Sequence, residues 1–296
     1  MAGSYLEEAR SWIGHKYRVS DVLAPGPARA MSALLDRDEA WIRTGVRLPP
    51  LWHWLYLHHP TPQSRLGPDG HERLGEFLPP LPFPRRMWAG GRVRFLEPLA
   101  IGTAATRVSS VVDVQEKHGR SGTFVLVIVR HRIEADGRLA LDEEQHLAYL
   151  PGQPGQATSS ATAPSVGPAG GTTSPAAPAP IVPAPSPEWT RPFEPSPTAL
   201  FRFSALTFNA HRIHWDRSYA TDVEGYPELV VHAPLLALLL LDGAGAHAGR
   251  EPTAFEYRAH SPLFAGETIR LEGGASEVRA LAPDGRIAMT GTVNWG

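Results

Sequence analysis

The chain has 296 residues, enough for two domains of ordinary size, each with its own core. Its 28 basic and 30 acidic side chains leave a net charge of −2, which gathers neither nucleic acid nor an anionic membrane. With no cysteine there is no disulfide, thiol nucleophile, iron–sulfur cluster or cysteine zinc site, so chemistry must rest on His, Asp, Glu, Asn or a hydroxyl.

The first segment, MAGSYLEEARSWIGHKY, has acids where a secretory signal has bases and lacks an apolar stretch, so a cytoplasmic location is expected. The apolar pattern of Leu48 to His59 predicts a helix, and its run Trp52-His53-Trp54-Leu55-Tyr56 reads first as core packing, second as rings that set substrate size. Phe124 to Ile133 is β-branched and reads as a strand, joined to Leu139 to Tyr149 by an Asp136-Gly137 hairpin turn. From Pro151 to Pro187 no residue is charged and Pro, Ala, Gly, Ser and Thr dominate, which predicts a flexible linker. The expected organisation is therefore 1–150, a linker at 151–188, and 189–296. Val230 to Asp242 predicts a second apolar helix, shorter than the ~20 residues of a membrane span and buried all round. The glycines from Gly243 to Gly249 follow that helix and read as its stop, not as a nucleotide loop. Arg270 to Ala282 and Ile287 to Asn294 flank Asp284-Gly285 as a further hairpin.

Three short matches recur in order in the two halves. Ser32-Ala33-Leu34 echoes Ser204-Ala205-Leu206, Pro50-Leu51 echoes Pro234-Leu235, and Pro98-Leu99-x-x-Gly102 echoes Pro262-Leu263-x-x-Gly266, at offsets of 172, 184 and 164. The offsets place about 12 extra residues in the C-terminal half between Phe208 and Val230, and about 20 in the N-terminal half around Thr61 to Arg85. The C-terminal insertion holds the densest polar cluster of the chain, Asn209-Ala-His211-Arg212-Ile-His214-Trp-Asp216. Two units, each a short strand, a buried helix and an antiparallel meander, predict an α+β tandem or double hot dog: two curled antiparallel sheets, each wrapped around a long buried helix, joined edge to edge.

The segment Phe201 to Pro234 resembles the active-site segment of the MaoC-like (R)-specific enoyl-thioester hydratases and dehydratases. In that family an Asp or Asn precedes the catalytic His by five residues, as Asn209 precedes His214 here. The Ser-Ala-Leu-Thr-Phe-Asn start, the Arg-Ile-His core and the block Gly225 to His232 are similar to the branch containing mesaconyl-CoA (4-thioester) hydratases and type 2 3-hydroxyacyl-thioester dehydratases. The resemblance implies a hydro-lyase that adds water reversibly to a 2-enoyl-CoA, most narrowly mesaconyl-C(4)-CoA to citramalyl-CoA. It implies no metal or redox cofactor, an acyl-CoA partner, and a monomeric double hot dog or a homodimer. The C-terminal half is expected to be catalytic and the N-terminal half a degenerate copy.

The chemistry needs a base near neutrality, for which His214 is the candidate, and a polar group to hold the water, for which Asn209 serves. Charge on the thioester oxygen needs preorganised donors, and the backbone N–H of Ala233 at the start of the buried helix is the candidate. His211, Arg212 and Tyr226 are candidates for substrate or coenzyme contacts, and Arg202 and Arg258 for an acyl carboxylate. Alternatives stay open: a His211, His214 and His232 zinc triad, a dehydratase of lipid synthesis with a long apolar tunnel, and a non-catalytic acyl-CoA-binding subunit.

Overall fold

A computed structural model describes residues 2–119, 122–151 and 186–296. The predicted linker falls almost wholly on 152–185, outside the described residues. The first unit contains α1 (Ala2–Ser11), β1 (Lys16–Val22), α2 (Pro25–Leu34), β2 (Arg85–Phe95), β3 (Ala104–Gly119), β4 (Gly122–Ala135) and β5 (Arg138–Leu150). The second contains β6 (Trp189–Phe193), α3 (Pro197–Leu206), α4 (Ala233–Ala248), β7 (Pro252–Ala259), β8 (Ile269–Gly273), β9 (Glu277–Leu281) and β10 (Ile287–Trp295).

All ten strands form one antiparallel sheet in the order β1-β3-β4-β5-β2-β7-β10-β9-β8-β6. Counted outward from the β2–β7 seam, β2, β5, β4, β3 and β1 answer to β7, β10, β9, β8 and β6, so the two units are related by a pseudo-twofold axis at the seam. This is the double hot dog expected. The matched motifs make matching bonds: Leu48 N–H donates to Leu99 O as Val231 N–H does to Leu263 O, and Gly102 N–H to Leu23 O as Gly266 N–H does to Pro195 O. Both helices before the insertion end the same way. Asp36 and Phe208 take left-handed φ of 52° and 50°, and the next amides, of Arg37 and Asn209, bond back to Ser32 O and Ser204 O.

Local chemistry explains the strands. At the β4–β5 turn Asp136 and Gly137 both have positive φ, as a type I′ hairpin requires. The expected strand Arg270 to Ala282 is instead two, β8 and β9, folded back on each other at Gly273-Gly274, where the Gly274 N–H bonds Glu277 O.

The central helices differ most from expectation. In the second unit α4 is present, and from Leu235 to Leu241 no residue is more than 4% exposed; each leucine there contributes roughly 1.5–3 kcal/mol of burial. In the first unit Leu48 to His59 is not a helix. Only a 3₁₀ turn, Trp52–Leu55, forms there. Pro49 and Pro50 supply no N–H for a preceding turn, and Leu51 and Leu57 sit at φ of 67° and 58°, bracketing the turn with left-handed residues. The turn instead clamps one carboxylate, with His53 Nε2 and Trp54 Nε1 each 2.9 Å from a Glu143 oxygen. The concave face of the first sheet is thus left without the helix that fills the second. No helix of the described residues is long and apolar enough to cross a membrane.

At the seam Gly91 pairs with both Glu144's neighbour Gln145 and Tyr257, and a Cβ there would lie 2.5 Å from the Glu144 carbonyl oxygen and 2.8 Å from the Tyr257 hydroxyl. Gly91→Val is predicted to cost roughly 1–3 kcal/mol, read as a lower urea midpoint. An unchanged midpoint would mean the sheets do not join here.

Candidate active site

The C-terminal insertion leaves α3 at Thr207 and passes Phe208, an exposed aromatic in the left-handed region, where a bulky side chain is disfavoured. Asn209 follows at the cavity wall, its Oδ1 accepting the His211 N–H at 3.1 Å. That bond leaves the amide of Asn209 as its donor toward the cavity. A single 3₁₀ turn, Arg212–His214, then buries His214.

His214 is fixed on three sides. Its Nδ1 lies 2.7 Å from the Val230 carbonyl oxygen; since a carbonyl only accepts, Nδ1 carries the proton and Nε2 is the free base. Its ring stacks on His232 at 3.7 Å and 20° and meets the His211 ring edge-on at 5.5 Å. His232, the residue before α4, is held by the Ser204 hydroxyl at 2.8 Å. Stacked at 3.7 Å and 20°, the His214 and His232 rings run side by side rather than converging on one point, and one nitrogen of each, His214 Nδ1 and His232 Nε2, is already hydrogen-bonded.

Ala233 opens α4 and lines the same cavity as His214 and Asn209. Pro234 has no N–H, so the Ala233 amide is a donor the helix leaves unsatisfied, at the positive end of its dipole. The cavity has a volume of about 730 Å³ and runs from this helix start to the bare face of the first sheet, where Trp54, Arg86, Arg107, His131, Glu143 and Gln145 face it.

The N-terminal insertion forms one wall of the site. The Arg212 N–H donates to Asp69 O at 2.9 Å and its guanidinium to Pro68 O at 3.0 Å, and the His71 ring lies 4.0 Å from that of His211. Gly70, at φ 88°, presses its α-carbon on the Ala210 carbonyl so closely that no side chain fits. His71 Nδ1–H donates to Asp69 Oδ2 at 2.9 Å. The sequence placed an insertion at Thr61 to Arg85 but gave no signal that Asp69 and His71 belong to the site of the other half. Asp69, His71 and His211 present ligand atoms within 4.8 Å of one another, the metal-like group found among the described residues.

The remaining candidates divide. His211 and Tyr226 line the cavity, and the Tyr226 hydroxyl accepts from Arg85 at 2.6 Å. Arg212 is not in the lining; it pairs with Asp216 at 2.7 Å and lies over the Tyr219 ring, so it ties the insertion together. Arg202 is exposed on α3 and Arg258 sits on β7 at the seam; neither lines the cavity, and the structure brings neither to His214.

With these geometries in place, the comparisons decide the family. The sequence matches the hydroxyacyl-thioester dehydratase type 2 family over residues 51–265. It is 41% identical over 299 aligned residues to the mesaconyl-C(4)-CoA hydratase of Chloroflexus aurantiacus, covering 97% of each chain. The chain belongs to the type 2 hydroxyacyl-thioester dehydratase family. It is also 29% identical over 250 residues to the mitochondrial type 2 dehydratase of Schizosaccharomyces pombe, covering 76% of this chain and 77% of that one. A Mycobacterium tuberculosis protein described as a double hot dog superposes with a TM-score of 0.59 at 17% identity, over 98% of this chain and 97% of that chain, which shows the fold.

Burial drives the clustered rings neutral: His214 is held down to about 4, and His71, His211 and His232 lie well below the ordinary imidazole value of 6.5. In the unfolded chain these rings take up protons near pH 6.5, so there the unfolded state binds more protons as pH falls. Stability is therefore predicted to be full above pH 7 and to fall as pH drops below 6.5, His214 alone contributing a loss of ~1.4 kcal/mol per pH unit down to about 4, with the other three rings acting in the same direction. A urea midpoint that stays flat from pH 7 to 5 would contradict this burial.

Proposed function

We propose that this member of the family adds water reversibly across the double bond of a 2-enoyl-CoA, with mesaconyl-C(4)-CoA hydrated to citramalyl-CoA as its reaction. One observation carries the reading: a buried His214, its tautomer fixed by Val230, presents a free Nε2 to a cavity that also holds the unsatisfied start of α4. The substrate comes from the relative with 41% identity.

In the proposed step His214 Nε2 takes a proton from water as its oxygen attacks the β-carbon. The Asn209 amide donates to that water and holds it in line. Negative charge moves onto the thioester oxygen, where the Ala233 N–H and the dipole of α4 stabilise it. The proton on His214 then goes to the α-carbon, so H and OH of one water end on adjacent carbons and the ring returns to its starting form. The balance needs no metal and no redox cofactor; coenzyme A arrives with the substrate. Burial holds His214 unprotonated down to about 4, so its Nε2 is available across the physiological range, as a weaker base than the near-neutral imidazole the sequence suggests.

The second reading, a 3-hydroxyacyl-thioester dehydratase of lipid synthesis, draws on the family match and the yeast relative. It is weaker because Arg86 and Arg107 line the cavity and the Nε of Arg107 is buried with no hydrogen-bond partner among the described residues, charges that an aliphatic chain would strip of water without pairing.

Absorbance of the enoyl-thioester band with crotonyl-, octenoyl- and mesaconyl-C(4)-CoA separates the readings. His214→Ala is predicted to lose at least ~100-fold in kcat, and Asn209→Ala to lose less. Faster turnover of octenoyl-CoA than of the dicarboxylic thioester would favour the lipid enzyme, and wild-type activity in His214→Ala would remove His214 as base.

A further inference from the structure

Strand β2 carries four arginines. Arg85 pairs with Glu224 at 3.4 Å, Arg92 with Glu144 at 2.6 Å and Arg94 with Asp142 at 2.5 Å. Arg86 is the exception: among the described residues no carboxylate forms an ion pair with it, and it is half-buried in the cavity wall. Its ladder partner on β5 is Tyr149. Its charge reaches His71 and His211, in both of which it disfavours the protonated ring. The Tyr149 hydroxyl faces this half-buried guanidinium but carries no charge, so an anion entering the cavity would find a cation to pair with.

Arg86 and His211 line the same cavity, and the charge of Arg86 acts on the His211 ring. The centroid of that ring lies 5.5 Å from that of His214, and its nitrogens make no hydrogen bond among the described residues. An anion held by Arg86 and His211 together would be next to the free nitrogen of His214. A carboxylate bonded directly to the carbon that receives water must lie just there. The opposing charges are Asp69, whose carboxylate is engaged by the His71 Nδ1–H and the His71 backbone N–H, and, in the cavity wall itself, Glu72 beside His59 and Glu143 held by His53 and Trp54. The same guanidinium that favours an anion opposes a divalent cation on Asp69, His71 and His211.

We propose that Arg86, with His211 as second donor, is a carboxylate subsite that recognises the free carboxylate of a dicarboxylic enoyl thioester. The subsite rests on the hydratase reading for the position of the reacting carbon. It makes Arg86 a specificity-determining residue, whose planar fork suits a carboxylate in two-point contact. Arg107, also in the cavity wall, lies instead against His131 and within the field of Glu143.

The test compares mesaconyl-C(4)-CoA with crotonyl-CoA, which lacks the carboxylate, in wild type, Arg86→Met, Arg86→Lys and Arg107→Met. The kcat/KM ratio of the dicarboxylic to the monocarboxylic thioester is expected to fall roughly 10- to 100-fold in Arg86→Met, as for one lost charge-assisted contact. Arg86→Lys should recover part of it. An equal loss on both thioesters, an unchanged ratio, or a collapse of the ratio in Arg107→Met in its place would each overturn the assignment. Calorimetry in a His214→Ala background reads binding alone. Tighter binding of mesaconyl-C(4)-CoA than of crotonyl-CoA that vanishes with Arg86→Met supports the subsite even if no hydration is detected. Equal binding of the two thioesters overturns it even if hydration of crotonyl-CoA is robust.

Discussion

The 2.7 Å contact between His214 Nδ1 and the Val230 carbonyl governs the rest of the site. It settles which nitrogen is free, and it is reciprocal in effect, because the Val230 N–H bonds back to Ile213 O at 2.9 Å. The turn that carries the base and the segment that leads into α4 therefore hold one another. Two residues after Val230 comes His232, on which His214 stacks, and then Ala233, whose amide opens the helix. The proposed base and the proposed oxyanion donor are thus set on one short length of backbone that the Val230 bonds tie together.

The two halves have diverged in complementary directions. The C-terminal copy kept its helix and gained the segment with Asn209 and His214. The N-terminal half has only a 3₁₀ turn in the place of that helix, which leaves the cavity open, and carries the segment with Asp69 and His71 that walls it. A trace of the common plan remains at Ser32, whose buried hydroxyl has no partner. Ser204, at the matching place, bonds His232, and the backbone match that aligns Val231 with Leu48 puts Pro49 where that histidine would be. Opening the cavity exchanged burial of an apolar helix, the kind of surface that Leu235 to Leu241 still hides, for a substrate chamber faced with arginine, histidine and carboxylate.

Much of this was legible in the residues. The order and offsets of three weak matches located both insertions, and Asp136-Gly137 marked its hairpin. Asn209, His214 and Ala233, picked out by spacing and by the resemblance of their segment, are brought to one cavity. What the pattern missed has physical causes. Apolar spacing across Leu48 to His59 is also the spacing of a tightly buried turn, and what distinguishes the two is Pro49-Pro50 together with the left-handed Leu51 and Leu57. β2 holds four arginines and a Gly-Gly pair, so it lacks the composition of a strand although it forms the seam. Arg202 and Arg258 are candidates because an acyl carboxylate asks for an arginine, but neither lines the cavity. The arginine that faces the site, Arg86, lies in the other half, and only the sheet seam reveals that nearness. Asp69 and His71 are hidden for the same reason: a contact across halves leaves no local pattern.

A crystal structure of the His214→Ala variant with mesaconyl-C(4)-CoA bound would show whether the C-terminal segment supplies the chemistry and the N-terminal half the chamber. The thioester oxygen is expected within hydrogen-bond reach of the Ala233 N–H, the β-carbon facing the vacated imidazole position beside Asn209, and the acyl group directed toward the bare face of the first sheet. An acyl group lodged away from Ala233, or a thioester bound outside the shared cavity with the first sheet untouched, would contradict that division.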